Sequence, residues 1–216
     1  MFAHGTALEP TIPSVTVNLV EEIHHRVVNE YSEAISSLSL AALRTGDDKT
    51  SAELAKAAER LRDHAASHCA LMPPPGGDTT NLAVHIGRIC KAFTKATLEE
   101  RGVLLTLDTI DVVLPAERCW RIGLVVAELI RNAARHGLHG KEGRISVQFV
   151  ELAGLLTCLV GDTGRPPVDR KPGRGLRLIR SLVADLGGSV EWSFTSDGNF
   201  ALVQLGPVNR ITDEID

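Results

Sequence analysis

The sequence predicts an α+β chain in two parts: a helical hairpin that forms a dimeric four-helix bundle, then an α/β sandwich. Three observations carry this. Apolar residues in the first third recur every three or four positions, the spacing of a packed helix. The run Pro73-Pro74-Pro75-Gly76-Gly77 then breaks the pattern, because proline cannot continue a helix and glycine frees the backbone. Beyond it, short alternating segments are interleaved with amphipathic ones, the pattern of a sheet with helices on one side. The expected divisions are residues 12–72 for the hairpin, 73–77 for a linker and 78–208 for the second domain.

Composition narrows the function classes. The chain has 216 residues, with 23 Lys+Arg against 27 Asp+Glu, a formal net charge of -4. That mild acidity argues against a sequence-independent nucleic-acid binder, so no nucleic-acid partner is expected. The most apolar stretches, near Ile122–Ile130 and Leu152–Val160, fall well short of a membrane span, so no membrane insertion is expected. The opening MFAHGTALEP has no basic segment followed by an apolar run, which predicts no signal peptide. Aromatics make up only 4%, so the core must come from Leu, Val, Ile and Ala. Cys69, Cys90, Cys119 and Cys158 form no C-x-x-C pair and are expected as buried thiols in a reducing cytoplasm.

The elements follow in order. Val20, Ile23, Val27, Tyr31, Ala34, Leu38 and Ala41 make one apolar stripe, predicting a helix from about Val15 to Leu43. Thr45-Gly46-Asp47-Asp48 supplies a stop and a turn. Leu54, Ala58, Leu61, Ala65, His68 and Met72 form the stripe of a second helix. A lone hairpin buries too little apolar surface, which favours a homodimer over packing on the second domain alone. Asp78-Thr79 is a candidate cap for a helix reaching about Glu100. Val103–Leu107 and Val112–Leu114 read as strands, and Ala116–Leu138 as a long helix. Arg144–Glu151 and Leu155–Gly161 read as a hairpin around Ala153-Gly154. A loop spans Asp162–Arg174. A helix from Gly175 to Leu186 and two strands, 189–195 and 200–205, complete the domain.

Helical rotation places His25 nearly opposite the first apolar stripe. Asn29 lies one turn later on that outward face, with Glu21 and Ser32 beside it, and Glu22 three residues before His25. An exposed imidazole is a competent nucleophile near neutral pH, and a nearby carboxylate can orient it or take its proton. The plainer reading is a solvated histidine on a polar helix face. Metal ligation by His24 and His25 is disfavoured, since adjacent residues diverge on a helix.

In the second domain, Glu128 and Asn132 share a helix face, with Arg135 and His136 nearby. Ile122, Val126, Leu129 and Ala133 face the sheet. An acid and an amide one turn apart can hold hydrated Mg²⁺ through oxygen, and Arg131 and Arg135 would add charge toward a polyphosphate. Asp162-Thr163-Gly164 ends a strand, where a carboxylate can accept from an adenine amino group. Gly173-Arg174-Gly175 opens a helix, where glycines let backbone N–H groups meet phosphate. Each signal is weak alone; their order is what carries weight.

That order resembles the ATP-binding domain of histidine kinases, the Bergerat fold shared with gyrase, the ninety-kilodalton heat-shock chaperone and MutL. E-L-I-R-N-A-A-R-H-G is similar to the N box, D-T-G-R-P-P to the first glycine box, and G-R-G-L-R-L-I-R-S-L-V-A-D-L-G-G to the second. E-I-H-H-R-V-V-N resembles the H box of the HWE and HisKA-2 kinases, and the likeness covers residues 15–207.

The resemblance implies ATP and Mg²⁺ as cofactors and His25 as phosphoacceptor. Asn132 would bind the metal and Glu128 position its water shell. Asp162 would read adenine above Gly164. Gly173 and Gly175 would border the phosphates, with Arg174 touching them. It also implies homodimerisation and transfer to a response-regulator receiver domain. The length leaves no room for an input domain, so a separate sensor or input protein is expected.

Two departures bear on this. Pro166 stands where the family's second glycine is usual, and proline lacks an N–H. Arg26 follows His25 where many histidine kinases place an acid, leaving Glu22 or Glu21 as base. The alternative is a histidine phosphotransferase that relays phosphate between receiver domains with a degenerate ATP-binding domain. A third reading, a binding module of the anti-sigma type, is opposed by the long hairpin that carries the histidine.

Overall fold

The computed structural model describes residues 14–74, 77–166 and 173–207, with side chains from Glu22 onward. The chain divides into two compact units between Leu61 and Arg62.

The first unit holds helix α1, Ser14–Arg44, and the opening turns of helix α2, Asp48–Ala70. The connecting turn is built by Asp47, whose carboxylate accepts the Thr50 N–H at 2.8 Å and so caps α2. Ser51 Oγ donates to the Ala42 carbonyl at 2.8 Å, joining the two helix ends. Within the single chain only part of the expected stripe of α1 is buried. Val27, Tyr31 and Leu38 are half-buried as anticipated, but Ile35 and Ala42 complete the inward face, whereas Ile23, Ala34 and Ala41 are exposed. Periodicity finds an apolar helix; it does not say which edge of a broad apolar stripe meets the neighbour. Leu54, Ala58 and Leu61 turn inward on α2 as expected, while His68, assigned to the same stripe, is exposed.

The last turns of α2 group with the second unit. Ala70 joins its hydrophobic core, and Trp120 Nε1 donates to the Leu71 carbonyl at 2.8 Å.

The second unit begins with a three-residue strand β1, Thr79–Asn81, and helix α3, Leu82–Phe93. Asp78-Thr79 therefore does not cap a helix. Asn81 does, accepting the Val84 N–H at 3.1 Å, because Thr79–Asn81 is pulled into antiparallel pairing with strand β3, Val113–Pro115. The helix expected to reach Glu100 loosens after Phe93 into a π turn, Thr94–Leu98, and a short 3-10 turn. Thr94 and Thr97 each donate their hydroxyl to the carbonyl four residues back, the back-bonding that bends helices.

Strand β2, Val103–Asp108, pairs in parallel with β4, Gly143–Leu152. The remaining strands, β5 at Leu155–Asp162, β6 at Ser189–Thr195 and β7 at Gly198–Pro207, complete an otherwise antiparallel sheet of order β2-β4-β5-β7-β6. Ala153 and Gly154, both with positive φ, make the tight turn between β4 and β5.

Helices α3, α4 (Ala116–Asn132) and α5 (Arg174–Asp185) cover one face of this sheet. Ile86 and Ile89 from α3, Ile122 and Val126 from α4 and Ile179 from α5 are almost fully buried against Ile145, Phe149, Leu156 and Val203. Each such side chain contributes about 1.5–3 kcal/mol. The other face stays open, with Leu104, Arg144, Ser146 and Phe200 exposed. Arg118 fastens the start of α4 to the end of β7, donating to the carbonyls of Gly206 and Pro207 at 2.7 and 2.8 Å.

Three thiols are buried as expected; Cys69 is exposed. No described helix is long and apolar enough to cross a membrane.

Candidate functional site

The polar face of α1 carries the first set of candidates. His25 and Asn29 are exposed, as the rotation of the helix predicted, and His24 is half-buried. Glu22 does not bond His25. Its carboxylate accepts Arg26 Nε at 3.0 Å, a solvent-exposed pair one turn apart. Such an exposed pair is readily exchanged in water and does not commit Glu22 to Arg26. Glu21 lies outside the described side chains.

The second set gathers where α4 meets α5. A Cβ placed on Gly175 would fall 3.2 Å from Glu128 Oε2 and 3.6 Å from Asn132 Oδ1. Two hard oxygens from consecutive turns of α4 thus converge on the first turn of α5, close against Gly175. Asn132 Nδ2 is buried with no hydrogen-bond partner among the described residues. Arg131 is exposed, hydrogen-bonds Glu128 Oε1 and holds its guanidinium 5.0 Å over the Phe93 ring. Arg135 and Arg174 are exposed.

After Asn132 the helix widens into a π turn, Ala133–Gly137, closed by Leu138 N–H donating to the Ala133 carbonyl at 2.8 Å. Such turns are frequent at functional sites. This one carries Gly137 onto the Asp162 carboxylate: a Cβ at Gly137 would lie 2.3 and 2.4 Å from the two carboxylate oxygens. Asp162, at the end of β5, is 9% exposed. Its Oδ1 accepts the Gly164 N–H at 2.8 Å and Asn199 Nδ2 at 2.9 Å. Burial holds its pKa above the ordinary value near 3.8, while Asn199, the Gly164 N–H and the nearby His139 pull the other way.

The sign of that shift is testable. A carboxyl that ionises less readily in the folded chain supports the fold at acid pH and loses that contribution as pH rises through the raised value. Asp162→Asn is therefore expected to raise Tm at neutral pH and to match wild type below the ordinary carboxyl range. Melting curves across pH check this.

Asn199 and Gly137 were not among the sequence candidates. Asn199 comes from a hairpin 37 residues downstream of Asp162, and Gly137 reads locally as an ordinary helix stop. Pro166 is half-buried; residues 167–172 of the expected glycine-rich loop lie outside the described residues. Gly173 opens α5 in an extended conformation, with nothing within 4 Å of a Cβ placed there. Among the described residues, no group of three or more His, Cys, Asp or Glu is gathered in metal-binding geometry.

Residues 22–97 match the family model described as "Histidine kinase", and residues 100–202 match "Histidine kinase-like ATPase domain". The chain belongs to the histidine kinase family. The sensor histidine kinase PdtaS of Mycolicibacterium smegmatis is 28% identical over 199 residues, covering 88% of this chain and 40% of the relative. This histidine kinase family chain thus spans less than half the length of that relative. Its fold is similar to the histidine kinase domain of a blue-light activated kinase from Erythrobacter litoralis, with a TM-score of 0.59 at 20% identity, covering 83% of this chain and 94% of that one. A structure described as a bacterial phosphotransferase shares the fold at a TM-score of 0.61 and 11% identity, covering 91% of this chain and all of the other.

Proposed function

We propose that the chain is the core of a sensor-type histidine kinase that transfers the γ-phosphoryl group of ATP to His25, then to an aspartate of a response-regulator receiver domain. The observation that carries the proposal is the convergence of Glu128 Oε2 and Asn132 Oδ1 at Gly175.

The donor set fits a Mg²⁺–nucleotide. Magnesium prefers hard oxygens, keeps several waters and takes only one or two ligands from protein when phosphates supply the rest. An amide and a carboxylate beside a glycine-opened helix meet that description, so Asn132 would ligate the metal and Glu128 would hold its water. Mg²⁺–ATP would supply the transferable phosphoryl group and neutralise its charge. Asp162, buried and acceptor-rich, suits the exocyclic amine of adenine, with Gly137 and Gly164 packed on the carboxylate. Gly173 and Gly175 leave backbone near the phosphates, and Arg135 and Arg174 offer positive charge to them.

A ring nitrogen of His25 attacks the γ-phosphorus. The bond to the β–γ bridging oxygen breaks, ADP leaves with that electron pair, and the imidazole proton passes to a carboxylate, for which Glu22 is the described candidate. Arg26 holds Glu22, and Asn29 lies on the same exposed face for docking of a receiver domain. The exposed Ile23, Leu40 and Leu43 of α1 are apolar surface that a second copy would cover, completing a four-helix bundle in a homodimer. A cytoplasmic location would put the site where ATP is present.

Pro166 favours the second reading, a phosphotransferase relay, because it removes one N–H from the glycine-rich loop. Incubation with γ-labelled ATP and Mg²⁺ separates the two. A kinase gives acid-labile label on wild type and none on His25→Ala. A relay binds no ATP yet takes label at His25 from a phosphorylated receiver. Label on neither route ends both readings.

A further inference from the structure

Asn199 stands at the start of β7, opposite the end of β5, and is 6% exposed. Its orientation follows from chemistry. Nδ2 donates to Asp162 Oδ1 at 2.9 Å and to the Arg165 carbonyl at 3.2 Å. A flipped amide would set its oxygen against both of these acceptors. Asp162 Oδ1 therefore receives two N–H donors, while Oδ2 receives none from the described residues. The amide's own oxygen, Asn199 Oδ1, is buried with no donor among the described residues. An unsatisfied buried acceptor is costly, and native structures retain it where a function compensates.

We infer that Asn199 is the positioning residue through which Asp162 reads the base: it occupies Oδ1, so that Oδ2 is the oxygen presented to an exocyclic amine, and it ties the same carboxylate to the Arg165 carbonyl at the root of the glycine-rich loop. The inference rests on the proposed reading of Asp162 as the adenine contact. A carboxylate fixed at one oxygen has lost its freedom to rotate, and its second oxygen is aimed before the ligand arrives. The buried Asn199 oxygen adds a second acceptor, met by the other amine N–H or by a water bridging to it. An oxopurine, with an acceptor in place of the amine, satisfies neither oxygen, and that mismatch discriminates strongly.

Ionisation gives an independent readout. The groups facing the Asp162 carboxyl are Asn199 from β7, the Gly164 N–H from the end of its own strand, and His139 from the loop after α4; Gly137 contributes only backbone. Asn199 is the largest influence favouring the carboxylate, against burial. Removing it makes the carboxyl harder to ionise, so the acid limb of amine recognition moves to higher pH.

The test is calorimetric binding of ADP and of inosine diphosphate to the whole chain across acid to neutral pH. Wild type is expected to prefer ADP. Asn199→Ala is expected to lose about tenfold or more in ADP affinity, with little change for inosine diphosphate, and its acid limb moves up. Asn199→Asp, which keeps the shape but places two carboxyls together, moves the limb further and is read if the alanine variant melts early. His139→Gln in both backgrounds leaves the difference in place. Equal loss for both nucleotides with an unmoved acid limb, or no loss at all, overturns the inference while leaving the nucleotide site standing. A wild type that binds neither nucleotide overturns the reading of Asp162, and this inference with it.

Discussion

Gly164→Ala is expected to weaken nucleotide binding by about 10²-fold. A Cβ at this position would lie 2.1 Å from the Gly137 carbonyl oxygen, 2.2 Å from its carbon and 2.8 Å from Asp162 Oδ1. The first two are backbone atoms of a packed turn and have no rotamer to change. The end of β5 and the π turn after α4 must separate, and the Asp162 carboxylate moves with them. Overpacking of this kind costs about 1–3 kcal/mol, equivalent to roughly 5 °C in Tm for a chain of this size. The effect on binding is larger, because a displacement of about 1 Å in a positioning group costs on the order of 10²-fold. Gly173→Ala is the matched comparison. It lies in the same class of motif with open space around it, so Tm is expected to stay at the wild-type value. Calorimetry with ADP and melting curves on both variants check this. If Gly164→Ala binds ADP as wild type does, the close approach of Gly137 to Gly164 is not part of the site.

Asn132→Ala is expected to remove phosphoryl transfer while leaving the fold as stable as before, or more so. Its Nδ2 is buried with no hydrogen-bond partner among the described residues, and truncating an unmet buried donor relieves the cost of burying it. The same truncation removes Oδ1 from its place beside Glu128 Oε2 and Gly175. Losing one fixed electrostatic partner of a reacting group costs on the order of 10²–10³ in rate. Label incorporated from γ-labelled ATP should therefore fall to background while Tm holds or rises. A residue kept for packing would show the opposite pattern, and that outcome would remove Asn132 from the site. Stability held back at a working position is a common exchange in enzymes.

What was legible in the sequence divides along a physical line. The outward position of His25, the shared face of Glu128 and Asn132 and the strand-end position of Asp162 are all local: a helix angle, a spacing of four, a turn signal. The sandwich, with helices on one side of the sheet, followed from alternation of the same local kind. The readings that moved depend on partners distant in sequence. Asn81 caps α3 only because β1 pairs with β3 across more than thirty residues. Arg131 lies over Phe93, a residue of another helix. Asn199 has no local mark at all, since its meaning comes from two acceptors on another strand and loop. Ile23 is exposed in the single chain, because a stripe of apolar residues records that a helix is covered, not by which neighbour.

The π turn Ala133–Gly137 has a consequence for how the site can change. An α-helix has a single phase: once its sheet-facing side is chosen, the bearing of every later residue is dictated. By adding a residue to one turn, α4 acquires two phases. The first keeps Asn132 toward α5, and the second brings Gly137 beneath Asp162. The bearing of one contact can thus be altered by insertion or deletion within the turn while the other stays fixed. Deleting one residue between Ala133 and Gly137 would restore a uniform helix, rotate everything downstream by about a quarter turn, and force both contacts back onto one setting.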